Sequence, residues 1–326
     1  MNTVAVIGLG NIARRHRQNL KLLFPKASIV AMSASGRSVN EPVDFADLVL
    51  SDMSELIESS PELVIIASPS PFHEAHASAL IKKNIPVLIE KPLASEPESA
   101  QRILELIKQY SSHVEIGYCL RHLSSAVIIK QLISKNFIGE IYNCSATVGQ
   151  YLPDWRPNKH YTTCVSAQES LGGGALLELS HELDYLHWLL GPLKLNYAQL
   201  RSTKELELEV EEIADLVLTS QKGAVCYIHM DFIQKQAQRE CTFIGSKGRL
   251  HWNLITNTVT HHNDEGTEIV YSQPEWDKNQ MYLNMVTAFI CRIQGEECSH
   301  STLEDAYKTI ALIAKIKQKA EWGIKL

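Results

Sequence analysis

Three stretches of this chain carry residues whose types and spacing suit chemistry. The first is Val87-Leu88-Ile89-Glu90-Lys91-Pro92-Leu93-Ala94, an apolar run that ends in a charged dipeptide and a proline. A run this apolar reads as an internal strand of a parallel sheet, and open α/β sheets take their ligands beyond the carboxyl ends of such strands. Proline gives no N–H to a ladder, so pairing stops at Pro92 and Lys91 is fixed at the lip of the sheet. An amine held by backbone geometry suits proton transfer to or from a hydroxyl or carbonyl. The second stretch is Gly8-Leu9-Gly10-Asn11-Ile12-Ala13, directly after the apolar residues 4–7. Gly8 permits a tight turn, Gly10 lets the backbone approach a pyrophosphate, and small Ala13 allows close packing of the following helix, which runs to about Phe24. Phosphate charge is favoured at a helix N-terminus, so Gly8, Gly10, Asn11, Ile12 and Ala13 are expected to bind a dinucleotide.

The third stretch, Gly172 to Asp184, places Glu178, His181 and Asp184 at i, i+3 and i+6 of a helix expected over residues 176–190 and closed by Gly191-Pro192. Successive members share a helical face. An imidazole flanked by carboxylates suits acid/base work or the orientation of a hydroxyl; a satisfied polar stripe is the structural alternative.

The type of nucleotide is read from the second strand, Ser28 to Met32. An acidic residue at its tip would hold the 2′-hydroxyl of NAD, but the tip reads Ser33-Ala34-Ser35-Gly36-Arg37. The hydroxyls of Ser33 and Ser35 and the guanidinium of Arg37 suit a 2′-phosphate, so NADP is expected in preference to NAD. Arg14 and Arg15 would add positive potential. Residues 63–67 form a further apolar strand that opens into Ser68-Pro69-Ser70-Pro71-Phe72-His73, where two prolines fix a turn. Ser68, Pro69 and His73, with Glu90 and Lys91, complete the cofactor-side set.

The elements that must position these groups alternate strand and helix to about residue 120, the pattern of a doubly wound parallel sheet of Rossmann type. Residues 121–326 read as a second, α+β domain for substrate binding and oligomerisation. Strands are expected there over 141–149, 213–219, 224–230, 240–244 and 249–252, in a largely antiparallel open sheet. Helices at 121–135, 173–190 and 278–294 would cover one face, leaving the other for a second subunit. A last helix is expected over 303–320. Residues 150–161 are irregular, and their Asp154, Trp155 and Tyr161 offer stacking faces and hydrogen-bond groups for a polyhydroxylated ligand. Pro153 and Pro157 stiffen this segment. Tyr118 and Arg121, at the end of the apolar residues 114–118 and just past it, are placed with the substrate, as are Lys91 and His181.

With 326 residues the chain exceeds what one core readily serves, and 45% hydrophobic against 21% charged residues is an ordinary globular balance. A formal net charge of -6 offers no basic field for nucleic acid or an anionic membrane, so the expected partner is a small molecule. Seven scattered cysteines without a Cys-x-x-Cys pair read as free thiols. No basic leader precedes the first strand and no run is long enough to span a bilayer, so a cytoplasmic location is expected. His261 and His262 are adjacent but have no spaced third ligand; they are assigned to the surface, and no metal is expected.

Taken in order, the glycine motif from Gly8 to Ala13, the Ala67-Ser68-Pro69 turn with His73, the tripeptide Glu90-Lys91-Pro92 and the Gly172 to Asp184 stretch resemble the glucose-fructose oxidoreductase, inositol dehydrogenase and MocA (Gfo/Idh/MocA) family. Residues 243–250, Phe-Ile-Gly-Ser-Lys-Gly-Arg-Leu, resemble the strand-turn-strand of its second domain. The resemblance implies an oxidoreductase that passes a hydride between nicotinamide and a sugar, cyclitol or nucleotide-linked sugar, often as a homo-oligomer. It makes Lys91 the acid/base, with Glu178 and His181 completing the catalytic cluster and Asp184 in support. Many members carry Asp where Glu178 stands and place their His four residues later rather than three. The 149–174 segment is most similar to members from bacterial surface-sugar pathways. Two alternatives accompany this reading: redox-assisted glycoside hydrolysis with a tightly bound cofactor, as in some relatives, and a non-catalytic nucleotide sensor.

Overall fold

The computed structural model describes residues 1–323 except 40, 157, 204 and 299–301, so Pro157 of the irregular segment lies outside the described residues. Two compact units form. One consists of Met1–Cys119 with Met281–Ile310, the other of Leu120–Gln280 with the chain from Ala311 onward.

The first unit is built on six strands, Thr3–Ile7, Ser28–Met32, Leu48–Leu50, Val64–Ile66, Val87–Glu90 and Val114–Gly117. Every pairing between them is parallel, and in chain order they lie 3-2-1-4-5-6, the doubly wound arrangement in which strand order reverses between the first and fourth strands. The interior strands are apolar throughout because helices cover both faces: Val4 to Ile7, Val64 to Ile66 and Val87 to Ile89 are fully buried. The helices Asn11–Leu23, His73–Ile81 and Pro97–Tyr110 follow the expected pattern. The segment between the second and fourth strands holds more than one element. It contains the helix Met53–Glu58 and also the short edge strand Leu48–Leu50, whose three residues are too few to show a period.

The second unit carries a nine-stranded sheet, predominantly antiparallel. Its central strand Ile141–Gly149 pairs parallel with Val225–Asp231 on one side and antiparallel with Gln238–Gly245 on the other. Alternation runs along these strands: Cys144, Ala146 and Val148, Leu216 and Leu218, Ile228 and Met230, Cys241 and Phe243 are buried, and the residues between them are more exposed. Helix Ser124–Ser134 packs on the strands Thr258–Asn263 and Gly266–Ser272, and helices Ala175–Glu178 and His181–Leu190 on strands Ile213–Ser220, Val225–Asp231 and Leu193–Arg201. The indole N–H of buried Trp252 donates to Ser125 Oγ at 2.8 Å, and the Tyr185 ring meets that indole edge-on at 5.2 Å.

Three expectations need correction. The helix Gln280–Ile293, expected with the second domain, belongs from Met281 onward to the first unit, where Met285, Val286 and Phe289 pack with Val4, Val6, Ala13, Leu20, Ile65 and Leu88. Strands Leu193–Arg201, Thr258–Asn263, Gly266–Ser272 and Glu321–Trp322 were not anticipated; all lie toward the sheet edges, and the last three show no sustained apolar alternation, whereas Leu193, Leu195 and Tyr197 do alternate with polar residues in the first. His261 is not a surface residue. It is buried in strand Thr258–Asn263, with Nδ1 3.1 Å from Glu268 Oε1. None of the seven cysteines is held in a disulfide among the described residues, and no described helix is long and apolar enough to cross a membrane.

Candidate active site

In a parallel sheet all carboxyl ends lie along one edge, and the strand registers here align them residue by residue. Ile7 pairs with Met32 and with Ile66, Ile66 with Ile89, and Glu90 with Gly117. The next row along the edge is Gly8, Ser33, Ala67, Glu90 and Gly117, and Ser68, Lys91 and Tyr118 follow one residue beyond it. The glycine motif, the serine tip, the proline turn and the Glu-Lys-Pro tripeptide are brought together by this register.

Gly8 takes φ +119°, and a Cβ there would stand 2.4 Å from the Ala67 carbonyl oxygen, so no other residue fits without moving the backbone. At Gly10 a Cβ would meet nothing within 4 Å, and no side chain caps the helix Asn11–Leu23 that starts there. An open approach to an uncapped helix N-terminus is what a pyrophosphate requires, and the residues present fit a dinucleotide. Arg17, unremarked in the sequence, is buried and holds the motif from below: Nη1 donates to the Gly8 carbonyl at 3.0 Å and Nε to the Asp44 carbonyl at 2.8 Å. Burial pushes its pKa down from the ordinary value, partly offset by nearby Asp44.

Ser33 is buried and its Oγ lies 3.2 Å from Ser35 Oγ, while Arg37 is exposed. No carboxylate occurs between 33 and 37. Arg14 is engaged elsewhere, donating to Asp44 at 2.7 Å, and Arg15 lies over the Tyr282 ring at 4.6 Å. Of the four residues credited with positive or hydroxyl character toward a 2′-phosphate beside Ser33, the structure thus leaves Ser35 and Arg37 at the surface of the tip.

The turn at 68–73 is fastened by two histidines. His73 Nε2 lies 2.9 Å from the Ser68 carbonyl and Nδ1 2.9 Å from the Pro92 carbonyl, linking the ends of the fourth and fifth strands. Burial drives its pKa down against the pull of those carbonyls. His76 Nδ1 lies 3.1 Å from Ser68 Oγ, and burial lowers its pKa to about 4, with adjacent His73 adding to the fall.

Lys91 is half-buried, and its peptide bond to Pro92 is cis. Its backbone N–H donates to Glu90 Oε2 at 3.1 Å, and the other oxygen of that buried carboxylate accepts from His16 Nε2 at 2.6 Å. Glu90, expected on the cofactor side, thereby ties the helix of the glycine motif to the Lys91 peptide. His16 was missed: it is fully buried, on a helix whose flanking residues are arginines, and only the three-dimensional partner reveals its use. Its ring packs edge-on against Tyr282 at 6.1 Å. Tyr118 is fully buried.

In the second unit the expected single helix over 176–190 is broken. It forms Ala175–Glu178 and His181–Leu190, with Leu179 at φ -100°, ψ 22° between them and the Glu182 N–H reaching back three residues to Leu179. Glu178 thus ends one helix and His181 begins the next, so the face inferred from the spacing is lost between Glu178 and His181, while His181 and Asp184 keep their i, i+3 relation on one helix. No glycine or proline signals this break. Glu178 Oε2 accepts from Ser166 Oγ at 2.8 Å. Asp184 is buried and receives two hydrogen bonds from Arg121, at 2.9 and 2.7 Å. Arg121 is therefore a partner of Asp184. Glu182, an unpredicted buried carboxylate on the same helix, pairs in the same way with Arg239 at 2.8 and 2.9 Å. His122 is also buried, and its pKa falls to about 4 through burial and the Arg121 charge.

The irregular segment becomes a series of short turns, Leu152–Trp155, Tyr161–Thr163, Val165–Ala167 and Glu169–Leu171. Asp154 is exposed, Trp155 is half-buried with its ring edge-on to Phe232 at 5.4 Å, and the Tyr161 hydroxyl donates to the Leu206 carbonyl at 3.2 Å.

Residues 2–118 match the family model described as the oxidoreductase family with an NAD-binding Rossmann fold, and residues 127–251 match that of the GFO/IDH/MocA C-terminal domain. The chain belongs to the Gfo/Idh/MocA family. It is an oxidoreductase with an NAD-binding Rossmann fold. Among curated Gfo/Idh/MocA-type relatives it is 21% identical to D-glucoside 3-dehydrogenase of Escherichia coli (strain K12), over 99% of this chain and 96% of that one. It is 24% identical to inositol 2-dehydrogenase 1 of Saccharopolyspora erythraea, over 98% and 94%. The fold is shared with levoglucosan dehydrogenase in complex with NADH, at TM-score 0.83 and 20% identity over 98% of this chain and 96% of that one. It is shared equally with the WlbA dehydrogenase of Bordetella pertussis in complex with NADH and UDP-GlcNAcA, at TM-score 0.81 and 20% identity over 98% and 95%.

Proposed function

We propose that this Gfo/Idh/MocA oxidoreductase transfers a hydride between a nicotinamide cofactor, preferably NADP(H), and a hydroxyl-bearing carbon of a sugar, cyclitol or nucleotide-linked sugar. The observation that carries this reading is that Gly8 and Ser33, and one residue further along Ser68 and Lys91, stand at the same carboxyl edge of the sheet, a nucleotide cradle beside an amine. When bound, nicotinamide donates or accepts the hydride at its C4. Gly8 to Ala13 would hold the pyrophosphate, Ser35 and Arg37 the 2′-phosphate, and the turn at Ser68, Pro69 and His73 together with Glu90 would shape the lip. Lys91 would carry the proton of the reacting hydroxyl at its Nζ. Glu178 and His181 are assigned to substrate recognition or proton transfer from the second unit, with Trp155, Asp154 and Tyr161 as further substrate contacts. The names of relatives that act on glucosides and inositols, and of a structural neighbour holding UDP-GlcNAcA, support the substrate class.

The open face of the second sheet supports a homo-oligomer. Tyr197, Tyr227 and Ile244 are each at least 42% exposed there, a strip of apolar surface beside Val217. Light scattering after size exclusion would show an oligomer that Tyr227→Asp with Ile244→Asp dissociates; a monomeric wild type removes this part.

The function is tested by fluorescence titration with NADPH and NADH, followed by cofactor oxidation against keto sugars and nucleotide-linked sugars. Tighter NADPH binding with sugar-dependent oxidation is expected. Tighter NADH binding would reverse the cofactor assignment, and no oxidation with any sugar would refute the substrate class.

A further inference from the structure

The first unit holds a cluster of groups that has no part in the chemistry above. Helix Gln280–Ile293 carries Cys291 in its last turn, and the chain reverses immediately after it. Gly295 takes φ +85°, its N–H donates to the Arg292 carbonyl at 3.1 Å, and the Glu296 N–H donates to the Cys291 carbonyl at 2.9 Å. This glycine-centred reversal closes the helix and lays residues 296–298 back against its end. As a result Cys291 Sγ, a Glu296 carboxylate oxygen and Cys298 Sγ all lie within 4.8 Å of one another. Both cysteines are partly exposed and Glu296 is exposed, so solvent has access to all three.

Two sulfurs and one oxygen make a donor set suited to a thiophilic d¹⁰ ion and unsuited to calcium or magnesium, which take oxygen alone. Around such an ion, with metal–sulfur bonds of about 2.3 Å, tetrahedral geometry sets donors roughly 3.5–4 Å apart, within a small rotamer adjustment of the distances here. A metal-bound sulfur is a thiolate, so each cysteine gives up its S–H proton on binding. A divalent ion takes the place of those protons.

We infer that Cys291, Glu296 and Cys298 form a binding site for one zinc-class divalent cation, with the fourth position open to water. Binding forms two metal–sulfur bonds and one metal–oxygen bond and releases the two thiol protons to solvent, with no change of oxidation state. The Cys-x4-Glu-x-Cys spacing matches no metal signature in the linear chain because the reversal at Gly295, rather than a Cys-x-x-Cys knuckle, closes the set. Its effect would be structural. The same helix brings Met285, Val286 and Phe289 into the first unit's core and pairs Arg292 with Glu115, so an ion at its end would secure that packing.

The test uses the full chain, reduced, stripped with chelator and titrated with Co²⁺. The expected result is a saturable thiolate-to-cobalt charge-transfer band at one equivalent, displaced by Zn²⁺ and lost in Cys291→Ser and in Cys298→Ser. Glu296→Gln should keep the band and weaken binding, and Zn²⁺ should raise Tm in the wild type but not in the double serine variant. The inference is overturned if folded wild type whose thiols react with Ellman's reagent gives no such band. A band that survives both serine variants, or a Cys291–Cys298 disulfide found by mass in protein that cannot take up cobalt after reduction, would overturn it equally.

Discussion

The carboxyl edge of the first sheet and the broken helix of the second unit both set charged residues in apolar surroundings, and they use them in different ways. At the sheet edge the backbone does the positioning. Gly8, Pro69 and Pro92 fix the chain, and buried Arg17, His16, His73 and His76 tie one strand end to the next, leaving Lys91 at the lip. Along the broken helix the carboxylates are occupied in structure: Asp184 with Arg121, Glu182 with Arg239, Glu178 with Ser166. The sheet edge thus uses its buried polar groups to tie strand ends to one another, and the broken helix uses its carboxylates on partners from elsewhere in the second unit.

Four measurements would break or sharpen that contrast. Lys91→Ala should lower turnover by roughly 10²–10⁴-fold while nucleotide binding, followed by fluorescence, stays near wild type; unchanged turnover would move the proton carrier to the other region. Asp184→Asn should lower stability by roughly 3–5 kcal/mol in urea unfolding, the cost of breaking a buried pair, and a loss of activity without loss of stability would make Asp184 functional rather than structural.

The third prediction places one histidine in each region. His76 and His122 are neutral in the native state, with pKa values lowered from 6.5 to about 4. The unfolded chain takes up their protons first, so their contribution is complete above pH 6.5, falls as pH drops toward 4 and levels off below it. Each should account for roughly 2–4 kcal/mol over that window, and His76→Phe or His122→Phe should each remove about one proton from the slope of stability against pH. An unchanged slope would show that the histidine is already charged when buried. The smallest effect is expected from Arg37→Ala, about tenfold weaker NADPH binding with NADH little affected, since an exposed guanidinium meets a 2′-phosphate in water.

The contrast also explains what the sequence made legible. Strands of the first sheet are buried on both faces, so their apolar runs and the glycines and prolines at their ends are local signals, and nearly all of that edge could be read from them. His16, Arg17 and His76 could not, because their partners lie at Glu90, Gly8 and Ser68, and a helix carrying Arg14, Arg15 and Arg17 looks solvated in one dimension. The break at Leu179 was invisible for a related reason: residues 176–190 have helical composition without interruption, and the pairs that hold the two halves come from residues 121, 166 and 239. Three of the strands at the margins of the second sheet escaped notice because exposed edges need no apolar alternation.

The return of residues 281–310 to the first unit bears on how this chain is made. A ribosome that has released residues 1–119 has delivered six strands and their helices, but not Met285, Val286 and Phe289, which share a core with Val4 and Ile65. The whole of residues 120–280 must emerge before that core can close. Until then the nucleotide-binding half is an incomplete body with an apolar face uncovered, and vectorial synthesis gives it no head start over the half that follows.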